Sequence, residues 1–173
     1  MSASGGGGAR PYARVMMTGM SGTEIAARFD AANEEAIAVV LGPAREHWRT
    51  PTEAEGWPVG VVARHIGLGH ELMASWARTL HARAPFTGGF DIHARNAEVA
   101  AQGVVATPEE VAELLRTGGR EVIAALAALT DDDLEGEVDF GGRTMPRAML
   151  AEVSVRHVES HVASILAVVG AEV

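Results

Sequence analysis

Residues 58–83 read PVGVVARHIGLGHELMASWARTLHAR, and the period of this stretch decides the fold. Val61, Val62, Ile66, Leu72, Met73, Trp76 and Leu80 recur at the spacing that gathers side chains on one side of an α-helix. Pro58 suits the first helical position, where a missing N–H is no loss. A helix over about 58–83 therefore has one apolar stripe, which must pack against other helices. His65 lies within that stripe, and Gly69 follows one turn later.

Working outward, the same period appears three more times. Residues 22–48 form an expected first helix, with Ser21 or Thr23 as its cap and Ile25, Phe29, Ala32, Ala36, Val39 and Val40 along one side. Gly42-Pro43 must end or kink it, because proline cannot donate the helical bond. Thr50-Pro51 begins a linker to Gly56. After the stripe, residues 84–90 read as a loop, and Asp91 caps a short helix ending near Gly103. Thr107-Pro108-Glu109-Glu110 has the capping-box pattern of a helix start, and that helix runs to about Leu129. Gly118-Gly119 lies inside it, where a bend is expected. Asp131–Asp133 close this stretch, and residues 137–143 form a short extended turn. A last helix is expected from Thr144 to about Val169, with Met149, Val153, Ile165 and Val168 on its buried side. The expectation is an all-α, four-helix bundle with a short extra helix between helices two and three. It occupies residues 22–173 as one domain behind a flexible N-terminal tail, residues 1–21.

Composition removes whole classes of chemistry. The 173 residues contain no cysteine and no lysine; all fourteen basic side chains are arginine. Cysteine-ligated metals, thiol nucleophiles, Schiff-base catalysis and the phosphate-loop lysine are excluded. A hydrophobic fraction of 47% with only 5% aromatics suits close-packed helices better than a sandwich or barrel. The formal charge of −9 argues against nucleic acid as a partner. No apolar run reaches the roughly 20 residues needed to cross a bilayer, and the first 21 residues lack the apolar middle of a signal peptide. A cytoplasmic location is expected.

The sharpest local feature is His157-Val158-Glu159-Ser160-His161. Two imidazoles four residues apart share a helix face and can bind one metal. With seven histidines in the chain, about 0.3 such pairs arise by chance. Glu159 lies about 200° around the helix from His157 and is expected to be solvated or at an interface. His65 is the best third ligand by position, the alternative being a core histidine bonded to a neutral partner. Gly69 could leave open volume beside the imidazole or allow close helix contact. His47, His70, His81 and His93 are expected at the surface.

Gly56-Trp57, His65 eight residues after the tryptophan, Asn96, and the His157/His161 pair, in this order, resemble the DinB-like superfamily. That superfamily includes YfiT-type proteins and the N-terminal domain of mycothiol-dependent maleylpyruvate isomerase. The resemblance spans about residues 22–170. It implies a four-helix bundle with a divalent metal at one end of its core, held by His65, His157 and His161. Zinc and nickel are the leading candidates, although imidazole also suits iron and copper. The isomerase branch carries a second, C-terminal domain, and a chain ending at Val173 is expected to lack it. It also typically has a carboxylate where His157 stands, so the all-histidine set looks more like the YfiT-type and thiol-transferase branch.

The resemblance further implies a small-molecule thiol, mycothiol or bacillithiol, ionised by the metal and added to an electrophile. The arginine-only, alanine-rich composition fits a mycothiol-making host better. Ser154 and Ser164, each three residues from a ligand histidine, are expected to line the pocket. Arg147 and Arg143 either meet a carboxylate on thiol or substrate or are solvated. Two alternatives stay open: a metal-dependent hydrolase using activated water, and a non-catalytic metal-binding bundle whose exposed faces form a homodimer.

Overall fold

The computed structural model describes residues 19–86 and 91–170. The expected tail therefore falls, for residues 1–18, outside the described residues, as do residues 87–90 of the expected loop. Six helices and one hairpin follow in order: α1 Gly22–Leu41, α2 Val59–His81, α3 Ile92–Gln102, α4 Pro108–Ala127, α5 Asp131–Leu134, β1 Glu137–Phe140, β2 Arg143–Pro146 and α6 Arg147–Val169. The four long helices form the expected bundle. α4 packs on both α1 and α2, and α6 packs on both α1 and α2. The square thus runs α1–α4–α2–α6, with α1 and α2 across one diagonal. The segment between them must cross an end of the bundle, and that segment builds part of the site described below.

The helix ends follow from local chemistry. Ser21, not Thr23, caps α1 in a reciprocal box with Glu24, and Thr107 does the same for α4 with Glu110. The first helix stops at Leu41 rather than 48, because Gly42-Pro43 breaks it into a single 3-10 turn at Pro43–Arg45. Pro58 sits at the N-cap of α2, one position earlier than expected, with φ −55° and ψ 144°. Asp131–Asp133 do more than end a helix: Thr130 and Asp133 form a third capping box, on the short α5. The expected extended turn is a two-stranded antiparallel hairpin with Val138 opposite Met145. Gly141 and Gly142 both have positive φ, as a tight two-residue hairpin turn requires. Because residues 144–146 belong to β2, the last helix begins at Arg147 and not at Thr144.

The core is built from Ile25, Phe29, Val40, Ile66, Leu80, Leu115, Leu126 and Ile165, with many buried alanines between them. Small residues let the helix axes approach. α4 continues unbroken through Gly118-Gly119, and packing accounts for both glycines. A Cβ at Gly118 would lie 2.8 Å from His70 Cβ, and one at Gly119 would lie 2.4 Å from Asn33 Nδ2. Met149, expected in the core, is 45% exposed. Among the described residues, no helix is long and apolar enough to cross a membrane.

Candidate metal centre

Adjacent helices α2 and α6 bring His65, His157 and His161 together. The three ring centroids lie 4.7–5.0 Å apart, and one ring nitrogen from each falls within 4.8 Å of the others. His65 Nε2 and His157 Nε2 are 3.0 Å apart. A tetrahedral ion with nitrogen ligands at about 2.0–2.1 Å needs ligand nitrogens about 3.4 Å apart. The donor set and its spacing therefore fit a divalent ion.

Protonation favours ligation too. Burial, with the nearby His161 and Arg95 adding to it and Glu55 opposing, pulls His65 down to about 4. Burial, reinforced by His161 and His65, pulls His157 down to about 2. Both rings are neutral at pH 7, so each offers a lone pair. His157 Nδ1 is buried and has no hydrogen-bond partner. Trp57 closes one side of the cluster, edge-on to His65 at 5.6 Å.

A residue not singled out from the sequence completes the arrangement. Glu55 Oε1 lies 2.8 Å from His161 Nδ1, which leaves Nε2 of that ring for the cluster. The other carboxylate oxygen accepts from the hydroxyls of Thr52, at 2.7 Å, and Ser164, at 2.5 Å. Burial pushes the Glu55 carboxyl up, but hydrogen bonds from Ser164, Thr52 and His161 together outweigh it and hold it below the usual range. The Thr-x-x-Glu spacing was visible in the sequence. Nothing there said that this linker crosses the bundle and meets α6.

A cavity of about 180 Å³ adjoins the histidines. Leu68, Leu72, Met73, Trp76, Ile92 and Val153 form apolar walls, and Arg95 and Asn96 of α3 add polar groups. Gly69 lines it as well: a Cβ there would come within 3.2 Å of His157 Cε1. The other expected pocket residues lie elsewhere. Ser154 is buried in the core, its hydroxyl turned back to the Ala151 carbonyl at 2.9 Å, and Val153 takes the place on the cavity wall. Ser164 reaches Glu55 rather than the cavity. Arg147 is buried, not poised for a substrate carboxylate; its guanidinium donates to the carbonyls of Asp133, at 2.6 Å, and Leu80, at 2.5 Å. Arg143 is exposed on β2. Glu159 pairs with Arg28 on the outside of α6.

His70 corrects the expectation of a surface residue. It is 0% exposed, packs edge-on against Phe29 at 5.3 Å, and neither ring nitrogen has a hydrogen-bond partner. The signal was present: Ile66, Met73, Ala74 and Ala77 stand four before and three, four and seven after it, on the stripe that faces the core. His47 is half-buried, His93 exposed, and His81 exposed but bonded to Asp133 at 2.8 Å.

Residues 21–161, including all three histidines, match the family model of the mycothiol maleylpyruvate isomerase N-terminal domain. The chain belongs to that family. The family is a member of the DinB-like superfamily, and the match falls in the isomerase branch, whereas the all-histidine set had pointed to the YfiT-type branch. The crystal structure of the mycothiol-dependent maleylpyruvate isomerase is similar with a TM-score of 0.67 at 15% identity. A structure of a histidine-to-alanine mutant of that enzyme gives 0.67 at 14%. Each similarity covers 84% of this chain and 61% of the other, so the chain spans about three-fifths of that protein's length. At such identity the likeness shows a common fold. No curated protein matches the sequence significantly.

Proposed function

We propose that this member of the mycothiol maleylpyruvate isomerase N-terminal domain family is a metal-dependent thiol S-transferase with a mycothiol-type co-substrate. His65, His157 and His161 hold the ion. One observation carries the reading: three imidazoles converge beside a mostly apolar cavity, in a chain with no cysteine or lysine to act as nucleophile. Family membership supports the thiol. Bound by these three imidazoles, a divalent ion would supply the chemistry of lowering a thiol's pKa toward neutrality.

The chain's own residues do the rest. Neutral His65 and His157 leave the ion's charge uncancelled, and Glu55 orients His161. The apolar walls exclude water from the reacting sulfur and accept a compact, largely apolar electrophile. About 180 Å³ is below the roughly 300 Å³ at which drug-sized pockets begin, so the sugar body of the thiol must lie outside. With an alkyl halide, the sulfur pair forms the C–S bond, the halide leaves with its bonding pair, and the thiol proton passes to solvent.

Two measurements test this. Purified protein should hold about one equivalent of metal by elemental analysis, and the His65→Ala variant should hold none. Metal-loaded protein incubated with mycothiol and a haloalkyl bimane should form the conjugate at least 100-fold faster than the His157→Ala variant. Equal rates would exclude the transferase, and equal metal contents would exclude the centre itself.

A further inference from the structure

The linker that crosses the bundle end does more than join α1 to α2. Its backbone is closed on itself: the Thr52 N–H donates to the Trp57 carbonyl at 2.8 Å, and the Gly56 N–H to the Thr52 carbonyl at 3.0 Å. Pro51 and Pro58 pair as an antiparallel bridge. Gly56 has φ +69°, a conformation that L side chains rarely adopt. This closed loop turns two side chains toward the histidines, Trp57 against the His65 ring and Glu55 onto His161 Nδ1.

Glu55 is held from both sides. Thr52, 2% exposed, belongs to the loop and Ser164 belongs to α6, so the two hydroxyls fix one carboxylate oxygen while the other faces the imidazole. A carboxylate in this place can only accept, so His161 donates from Nδ1, and the neutral ring then presents its Nε2 lone pair. We infer that Glu55, clamped by Thr52 and Ser164, is a positioning residue that sets the His161 tautomer and thereby the affinity of the centre. The affinity part rests on the metal reading above; the tautomer part does not.

The experiment uses zinc as probe. Zinc affinity is measured by competition with a chromophoric chelator for wild type, Glu55→Ala, Glu55→Gln and Ser164→Ala. The His161 tautomer is read from ring nitrogen shifts in the metal-free protein. Loss of an outer-sphere partner typically weakens a metal site 10- to 100-fold, which is the effect expected for Glu55→Ala. Glu55→Gln keeps the shape but loses the charge, and should fall between wild type and Glu55→Ala; it also serves if the alanine variant fails to fold. Ser164→Ala should lose a few-fold. Wild type should show a protonated Nδ1 on His161, and both Glu55 variants a mixture. Affinities within twofold of wild type with an unchanged tautomer would overturn the inference. If wild type binds no zinc, the metal reading fails alone, and the tautomer then decides: a shift in the Glu55 variants supports the positioning role, and no shift ends it.

Discussion

His70 is the most exacting single residue outside the candidate metal centre. Its ring is fully enclosed and neither nitrogen is hydrogen-bonded, so protonating it inside the fold is costly, and burial holds it down at about 4. The unfolded chain keeps the ordinary value of about 6.5. Between these limits the unfolded state binds more protons, so stability falls as pH drops from 6.5 toward 4. From pH 7 to pH 5 the His70 share is about 2 kcal/mol by this linkage. Urea unfolding of metal-free protein at the two pH values should show that loss, and His70→Leu should remove about this much of it. His65 and His157 are also depressed and add to the acid slope. An identical slope in the variant would mean that His70 finds a polar partner in solution.

At the scale of elements, two contacts decide how the helices meet. The first is the closeness of α4 to α2. Gly118→Ala gains roughly 1 kcal/mol of helix propensity, yet its Cβ would sit 2.8 Å from His70 Cβ, an atom next to the α2 backbone. Overpacking typically costs 1–3 kcal/mol, so a net loss of about 1 kcal/mol is expected in urea or thermal unfolding. The second is Arg147, which ties the start of α6 to α5 and to the end of α2 through two main-chain carbonyls. Arg147→Ala strips both carbonyls of a charged donor and should cost about 2–4 kcal/mol. Zinc stoichiometry and the KM for the thiol should stay as in wild type, because the guanidinium does not reach the cavity. A raised KM with unchanged stability would restore the substrate-binding role.

At the scale of the molecule, the centre joins α2 to α6 and, through Glu55, to the loop crossing the bundle end. A metal bound there acts on the folded state alone. At free zinc 100-fold above Kd, linkage adds about 2.7 kcal/mol, which for a domain of this size raises Tm by about 5–10 °C. Differential scanning calorimetry should show that shift in wild type and Arg147→Ala, and none in His65→Ala. Much of this architecture could be read from the amino-acid chain alone. The 3.6-residue period gave four long helices, and Thr107-Pro108-Glu109-Glu110 located the start of one. His65, Gly69 and the His157/His161 pair were visible because helix geometry places i and i+4 on one face. Helix spacing, however, describes one helix at a time. It left Arg147 and Ser154 as pocket residues, since only the neighbouring elements show that the first meets two carbonyls and the second turns into the core. Glu55 was hidden because a linker has no periodicity, and two of its three partners, His161 and Ser164, lie more than a hundred residues away on α6. Local chemistry and period thus determined the elements, their caps and the candidate ligands. The diagonal placement of α1 and α2, which carries the linker across the bundle end and a carboxylate onto His161, was decided by tertiary packing, because it depends on how whole apolar faces exclude water together.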